Sequence, residues 1–205
     1  MDVIERYRAL SSCQVADALA ELGLPHRGLD GIVTLDLDVK IVGSAFTVTC
    51  EPATSGRPRI EYLQEIPSGA VVMIANGGRI DCSVWGGQRT LAARQRGAVG
   101  TVVDGAYRDI PEHRAMGYPV FARGRTVVGS AGIANPVASQ EPVELAGVPV
   151  APGDLIVADA SGVVVVPASA ADRVLATAEA GAAEERRVID AVESGTDYVD
   201  ARRIG

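Results

Sequence analysis

The chain has 205 residues, of which 47% are hydrophobic and 22% are charged. Such a chain buries roughly 70% of its unfolded surface, so the composition excludes a disordered or collagenous protein. Its longest apolar runs fall short of the roughly 20 residues that cross a bilayer, and its start lacks a secretory pattern, so we expect a cytoplasmic protein without a membrane partner. A net charge of −7 and 4% aromatic residues also disfavour nucleic acid as a partner.

The reactive residue types restrict the chemistry further. Three widely separated cysteines without C-x-x-C spacing disfavour a disulfide framework and a zinc knuckle. Lys40 is the single lysine and lies in an alternating strand pattern, which disfavours Schiff-base catalysis. Two histidines, His26 and His113, are too few for a multi-histidine metal site. We therefore expect any metal to be a hard cation held by oxygen ligands.

The pattern predicts one domain over residues 1–205, because no linker or composition shift divides the chain. Near the start, Ser12 is expected to cap a helix that continues through Glu21 and stops at Gly23. The apolar positions within this segment recur at helical spacing, so one face of the helix should pack on the core.

Residues 32–49 are rich in Val, Ile and Thr, which predicts two strands interrupted at Asp36 and Gly43. A short helix is expected around residues 60–66. The next segment, residues 71–75, is the first in which apolar residues follow one another without intervening polar residues.

A strand, helix and strand are predicted next, at about 71–75, 87–96 and 100–103. Because V-V-M-I-A has no polar face, the strand should be buried on both sides of the sheet. We therefore expect the helix to form a right-handed crossover between two parallel strands. The sequence therefore predicts an α/β fold built around a parallel sheet.

Two segments, one in each half of the chain, have similar turn patterns. Residues 66–78 and 150–162 each combine a Pro/Gly turn, a short apolar strand and a glycine-bearing loop, which we attribute to similar turns in one sheet rather than to duplication. Further strands are expected at 119–122 and 162–166, before a long C-terminal helix over about 169–193.

The segment D-G-A-Y-R-D-I-P-E, residues 104–112, carries the main chemical signal. Ligands of open α/β sheets collect beyond the carboxyl ends of strands, where Arg108 and Asp109 are expected. Arginine suits a carboxylate or keto acid, and Asp109 with Glu112 offers hard oxygens for Mg²⁺ or Mn²⁺. The alternative is a surface Arg–Asp pair followed by a glutamate that complements a helix dipole.

A second signal is W-G-G-Q-R-T, residues 85–90, in which two glycines precede a helix. Backbone N–H groups exposed there suit an anion such as a carboxylate, whereas tight packing of a turn is the alternative. The turn should lie beside Arg108 on one sheet edge, which favours the anion site.

Neighbouring side chains are given structural roles. Trp85 is expected to fill a packing contact and His113 to face solvent on a first helical turn. Turn or loop positions are expected for His26, Asp81, Asp104, Asp159 and Ser161.

These motifs carry a family resemblance. Gly87, twenty residues, Arg108-Asp109, two residues and Glu112 form a pattern that resembles the motif of the 4-hydroxy-4-methyl-2-oxoglutarate aldolases, class II pyruvate aldolases of the RraA-like family. The likeness extends from S-C-Q-V-A-D-A-L near the start to A-P-G-D-L-I-V-A-D-A-S-G-V-V-V-V-P. It departs at residues 88–90, Gln-Arg-Thr, where many relatives carry apolar residues.

The resemblance implies a swivelling β/β/α-type fold, a homotrimer or dimer of trimers, and active sites at subunit interfaces. It implies that Asp109 binds a divalent metal, Mg²⁺ or Mn²⁺, and that Glu112 holds a metal-bound water. Arg108 would bind the keto oxygen of an oxo-acid substrate, and the backbone amides of Gly87, Gln88 and Arg89 would hold its carboxylate. The products would be pyruvate and a second oxo acid, with oxaloacetate decarboxylation as a side activity.

The same resemblance implies a second possibility. Some family members are regulators that bind a ribonuclease without aldolase chemistry, and these lack the full acidic motif. Because Asp109 and Glu112 are both present here, the enzyme is favoured over the protein-binding regulator.

Overall fold

The structure is a computed structural model that describes residues 2–25 and 27–203, so the expectation for His26 lies outside the described residues. The helices are α1 (Val3–Arg8), α2 (Ser12–Glu21), α3 (Gly87–Gln95), α4 (Ile110–Ala115), α5 (Ala171–Glu193) and α6 (Tyr198–Ala201). The strands are β1 (Val33–Thr34), β2 (Lys40–Pro52), β3 (Ala70–Trp85), β4 (Gly100–Tyr107), β5 (Val120–Arg125), β6 (Ala134–Ser139), β7 (Val143–Leu145), β8 (Val148–Val150), β9 (Leu155–Asp159) and β10 (Gly162–Val166).

Eight strands form one mixed sheet in the order β1-β5-β4-β3-β2-β9-β10, with β6 also paired to β2. The central strands β2 to β5 are parallel to one another. β1 pairs antiparallel with β5, β6 and β9 pair antiparallel with β2, and β10 pairs antiparallel with β9. β7 and β8 form a separate hairpin. The parallel pairing of β3 and β4 around α3 confirms the predicted strand, helix and strand. The α/β class and the long C-terminal helix are confirmed as well.

The sheet is buried on both faces, as the unbroken apolar runs of its central strands require. One cluster includes Val72 and Ile74 of β3 and lies under α3. A second cluster contains Val71 and Met73 of the same strand and packs against the β7–β8 hairpin. A third cluster joins α1, α2 and α5 to β9 and β10. Among the described residues, no helix has the length and apolar character needed to cross a bilayer.

Gly43 does not interrupt a strand, because β2 is continuous from Lys40 to Pro52. A Cβ atom at Gly43 would lie 2.3 Å from the Gly69 carbonyl oxygen. The glycine is therefore explained by the close approach of a neighbouring backbone. The two predicted strands are present as β1 and β2 and are separated around Asp36, but the predicted break at Gly43 was wrong.

Two local expectations also need correction. Ser11, rather than Ser12, caps α2: its Oγ accepts from the Gln14 amide at 3.1 Å, and the Gln14 side chain accepts from the Ser11 amide at 3.0 Å. This reciprocal capping box satisfies two amides at the helix start. The helix expected around residues 60–66 is a single 3₁₀ turn, Leu63–Glu65.

β3 and β4 extend past their predicted ends, and this extension positions the site. The strands were expected to end near Ala75 and Val103, but they continue through register shifts until Trp85 pairs with Tyr107. Bulges of this kind bend a strand and redirect its side chains. The glycine turn before α3 and the Arg-Asp turn before α4 consequently begin side by side.

Candidate active site

The site is built from two adjacent helix starts. The Arg108 amide donates to the Trp85 carbonyl at 3.0 Å, which extends the β3–β4 pairing by one bond. Asp109 then adopts φ 61°, ψ 44° as the N-cap of α4. This left-handed conformation is uncommon outside glycine, although aspartate tolerates it better than most residues. The turn directs the Asp109 carboxylate toward the start of α3.

The Asp109 carboxylate is held against the glycine turn. Its Oδ2 accepts from the Gly87 amide at 2.9 Å and lies 3.6 Å from Nε of Arg108. A Cβ atom at Gly86 would lie 2.7 Å from the same oxygen. Position 86 must therefore lack a side chain for the carboxylate to reach the α3 amide. This function of Gly86 was missed in the sequence, where both glycines were attributed to anion binding or turn packing.

A cavity of about 450 Å³ opens in front of these residues. Gln88, Arg89, Arg108 and Asp109 contribute to one wall, and residues 129–131 and 134–136 contribute to another. A Cβ atom at Gly129 would lie 2.8 Å from Nη1 of Arg108, so the guanidinium packs closely on that wall. Sequence reasoning missed this second wall because nothing before β6 distinguishes it from an ordinary loop.

The structure brings most of the predicted site residues together. The Arg108 and Asp109 side chains are 45% and 37% exposed, which leaves both accessible from the cavity. Gly87 lies behind the wall, since its amide is bonded to Asp109. Glu112 is exposed at the rim, where its Cβ lies 3.4 Å from the position that a Cβ of Gly87 would occupy. Glu112 is thus beside Asp109 but does not line the cavity.

The Arg108–Asp109 contact is too loose to be a stabilising ion pair. Its 3.6 Å separation exceeds hydrogen-bonding distance, and exposed pairs contribute about 0 to 1 kcal/mol. Both groups remain available for other partners.

The donor set around Asp109 is compatible with Mg²⁺ or Mn²⁺. Both observed contacts of the carboxylate fall on Oδ2, so Oδ1 is the oxygen available to a cation. The described residues contain no cluster of three His, Cys, Asp or Glu side chains that could enclose a metal. That arrangement excludes a dedicated protein cage, but Mg²⁺ commonly binds through one or two carboxylates and keeps several waters.

His113 does not face solvent, so that prediction was wrong. The residue is 3% exposed, its Nε2 lies 2.6 Å from the Arg108 carbonyl oxygen, and its Nδ1 lies 2.7 Å from Oγ1 of Thr90. Burial lowers the pKa of His113 below its usual value and outweighs the opposing effects of the Arg108 carbonyl, Asp109 and Glu112. The sequence carries a weak signal, because Ile110 is apolar and a residue three positions later shares its helix face. The structure confirms that Ile110 packs on the core.

The expectation for Trp85 is confirmed. Its side chain is buried and stacked on Tyr118, with ring centroids 6.5 Å apart. In addition, its indole N–H donates to Oγ1 of Thr90 at 2.8 Å.

The three aspartates that were expected at turns differ in their roles. Asp104 is not an exposed turn cap: it is buried, pairs with Arg123 and accepts from the Ala146 amide at 3.2 Å. Asp159 does cap its turn, because its Oδ1 accepts from the Ser161 amide at 3.0 Å. Asp81 is exposed and pairs with Arg79 at 2.7 Å.

Comparisons with solved structures agree with this architecture. A crystal structure of an uncharacterized protein from Pseudomonas syringae pv. tomato superposes with a TM-score of 0.91 at 38% identity, covering 98% of this chain and 96% of that one. Streptomyces coelicolor RraAS2, described as an unusual member of the RNase ES inhibitor RraA protein family, gives a TM-score of 0.80 at 31% identity over 90% of this chain and 93% of that one.

Relatives found by sequence are about as similar to this chain as these solved structures are. A Halalkalibacterium halodurans protein named "Putative 4-hydroxy-4-methyl-2-oxoglutarate aldolase" is 32% identical over 98% of this chain and 95% of its own length. Protein DlpA of Legionella pneumophila is 34% identical over 94% of this chain, which spans 32% of the length of DlpA. The family described as RraA-like, Aldolase/RraA, matches residues 12–165. The chain therefore belongs to the RraA-like family.

Proposed function

We propose that this protein is a divalent-metal-dependent class II pyruvate aldolase. Its substrates would be 4-hydroxy-2-oxo acids of the 4-hydroxy-4-methyl-2-oxoglutarate type, cleaved to pyruvate and a second oxo acid. The observation that carries the proposal is the convergence of the Arg108 guanidinium, the Asp109 carboxylate and the start of α3 on one cavity. The similarity to the Halalkalibacterium protein supports it.

The start of α3 would bind the substrate carboxylate. The first amides of an α-helix have no partner within the helix, and the helix dipole favours an anion at this end. The Gly87 amide is used by Asp109, which leaves the amides of Gln88 and Arg89 for the substrate. The Gly87 amide would thus hold the Asp109 carboxylate in place, rather than bind the substrate carboxylate as the resemblance had implied.

Arg108 would act on the keto oxygen. Cleavage transfers the proton of the 4-hydroxyl group to a water molecule and breaks the C3–C4 bond. C4 becomes the carbonyl carbon of the second oxo acid, and the electron pair of the broken bond gives the enolate of pyruvate, with its negative charge on the former keto oxygen. The Arg108 guanidinium, which lies against Gly129, would stabilise the charge that develops on the enolate oxygen. Asp109 would bind a divalent cation directly and Glu112 would bind it through a water, and the cation would supply Lewis-acid stabilisation of the same oxygen. Protonation at C3 then yields pyruvate.

Oxaloacetate should be decarboxylated by the same residues. Loss of CO₂ from its C3 leaves the same pyruvate enolate, so no additional catalytic group is needed. We therefore expect both reactions to depend on Arg108 and Asp109.

The decisive test is a lactate-dehydrogenase-coupled assay of pyruvate release from oxaloacetate and from 4-hydroxy-4-methyl-2-oxoglutarate. Release should require Mg²⁺ or Mn²⁺, disappear in EDTA and return when excess metal is added. Full turnover in EDTA after exhaustive dialysis would contradict metal dependence. The absence of pyruvate release from both substrates would contradict the aldolase itself.

A protein-binding regulator of ribonuclease activity is the second candidate, favoured by the similarity to RraAS2. Such a protein would act without metal-dependent pyruvate release, so the same assay separates the two. In either case we expect no direct RNA binding, because the net charge is −7. A labelled RNA should not shift at physiological salt, and saturable submicromolar binding would overturn this expectation.

We also propose that the chain assembles as a homotrimer or a dimer of trimers. The support is the family membership. Sedimentation equilibrium would measure the assembly mass, and a monomer at micromolar concentration would contradict the proposal.

A further inference from the structure

Arg108 is held through both polar groups of its backbone, and both attachments lead back to Trp85. The Arg108 amide donates directly to the Trp85 carbonyl at 3.0 Å. Its carbonyl is reached by a chain of buried groups in which the Trp85 indole contacts Thr90 at 2.8 Å, Thr90 contacts His113 at 2.7 Å, and His113 contacts the Arg108 oxygen at 2.6 Å. None of Trp85, Thr90 or His113 is needed to bind substrate in the function proposed above.

The direction of these hydrogen bonds is fixed at both ends. An indole N–H can only donate, so Thr90 Oγ1 accepts from Trp85. A carbonyl oxygen can only accept, so His113 donates from Nε2 to Arg108. The Thr90 hydroxyl can then donate its own proton to Nδ1, which satisfies every polar group in this buried chain.

We propose that Thr90 and His113 form a positioning relay that fixes the Arg108–Asp109 peptide, with the His113 ring neutral and protonated on Nε2. The proposal rests on the function proposed above, because the relay acts through residues assigned there to the reaction. Neither residue touches the substrate in this scheme.

The relay has a specific local task. The peptide that contains the Arg108 carbonyl leads into Asp109, whose φ of 61° is unfavourable for a residue with a side chain. A bond from the buried imidazole to that carbonyl restrains the peptide orientation, and hence the direction in which Asp109 leaves the strand. The carboxylate can then meet the Gly87 amide, and Arg108 can face the cavity.

Thr90→Val is the informative variant, because it removes the hydroxyl while nearly conserving shape. We expect kcat for pyruvate release to fall about 10- to 100-fold, as for other changes to groups that orient site residues, with KM changed less than threefold. Thr90→Ser restores the hydroxyl and should remain within threefold of the wild type. Thr47→Val is the matched control, because Thr47 is also fully buried and its hydroxyl donates to the Glu141 carbonyl at 2.7 Å, without contact to Trp85, Thr90 or His113. It should leave kcat within twofold.

Long-range ¹H–¹⁵N NMR of the wild-type protein gives a readout that does not need activity. The His113 signal, identified by its loss in His113→Gln, should show a proton on Nε2 and none on Nδ1. The Asp109 amide resonance should move in Thr90→Val and stay in place in Thr47→Val.

The outcomes separate this inference from the proposed function. If the wild type is active, two results would overturn the relay. One is a His113 ring that carries its proton on Nδ1, and the other is a Thr90→Val variant that keeps kcat within twofold of the wild type. Equal losses of kcat in Thr90→Val and Thr47→Val would overturn it as well. A wild type without pyruvate release would refute the proposed function, and the ring protonation and Asp109 amide shift would then decide the relay by themselves.

Discussion

Two strand-end carboxylates look alike in the sequence and differ sharply in their surroundings. Asp109 follows β4, and Asp159 ends β9; both come after an apolar run and precede a turn. The Asp159 carboxylate accepts three hydrogen bonds, from the Ser12 amide and hydroxyl and from the Ser161 amide. Asp109 accepts one hydrogen bond, from the Gly87 amide, and faces a cavity.

The difference separates a carboxylate that stabilises the fold from one that is available for chemistry. Burial alone would raise the pKa of Asp159, but the Ser12 and Ser161 donors, helped by Lys40, outweigh it and lower the pKa. Asp159 thereby attaches the start of α2 to the sheet. Asp109 keeps an oxygen available because its turn presents a single amide to it.

The largest effect is expected from Arg108→Lys. Lysine keeps the positive charge but lacks the planar guanidinium with its paired N–H donors. The loss of one preorganised donor to a developing oxyanion raises the activation free energy by about 3 to 4 kcal/mol. We expect kcat/KM for pyruvate release to fall about 10²- to 10³-fold. The melting temperature should be nearly unchanged, because the Arg108–Asp109 contact is exposed and too loose to stabilise the fold. Asp109→Asn should lose a comparable amount through weaker metal binding. An Arg108→Lys variant that retains activity within a factor of three would show that the site lies elsewhere.

The next effect is expected from Gly86→Ala, which tests whether the Asp109 carboxylate must approach the glycine turn. The new methyl group would lie 2.7 Å from Oδ2 of Asp109 and would displace it. We expect a loss of about 10- to 100-fold in kcat/KM, the range typical of changes to residues that orient a metal ligand, because Asp109 is the proposed ligand. Gly87→Ala is the matched control, since its methyl group would meet neighbouring atoms no closer than 3.4 Å. Equal kinetic losses in the two variants would contradict the argument.

Much of the fold follows from local pattern. The unbroken apolar residues of β3 and the helix start at Gly87 are sufficient to predict the parallel β3–α3–β4 unit, and β10 was predicted with its observed bounds, Gly162–Val166. The strands β6 to β8 were missed, because they are short and two of them contain proline. Gly43 was misinterpreted because its close neighbour, Gly69, is distant in sequence.

In the candidate site, too, the features set by local sequence were predicted and those set by contacts between distant segments were missed. Arg108 and Asp109 were found because they follow a predicted strand, and the structure gathers them with Gln88 and Arg89 on one cavity. The bond between Asp109 and the Gly87 amide depends on how far β3 and β4 extend, which their composition does not reveal. The burial of His113 likewise depends on which face of a six-residue helix meets the sheet.

The smallest kinetic effect is expected from Asp159→Asn, the counterpart of Asp109→Asn. Loss of hydrogen bonds to a charged group should lower the free energy of unfolding by about 2 kcal/mol at pH 7, while kcat/KM stays within twofold. Because the pKa of Asp159 is lowered in the folded state, its charge contributes fully above pH 3.8, the ordinary value, and the contribution is lost as pH falls through the folded-state pKa. Urea unfolding of the wild type and the variant across pH 2.5 to 7 would measure this, and the two stabilities should converge at the acidic end. A difference that stays constant with pH would mean that Asp159 acts through packing, and a loss of activity equal to that of Asp109→Asn would erase the distinction between the two carboxylates.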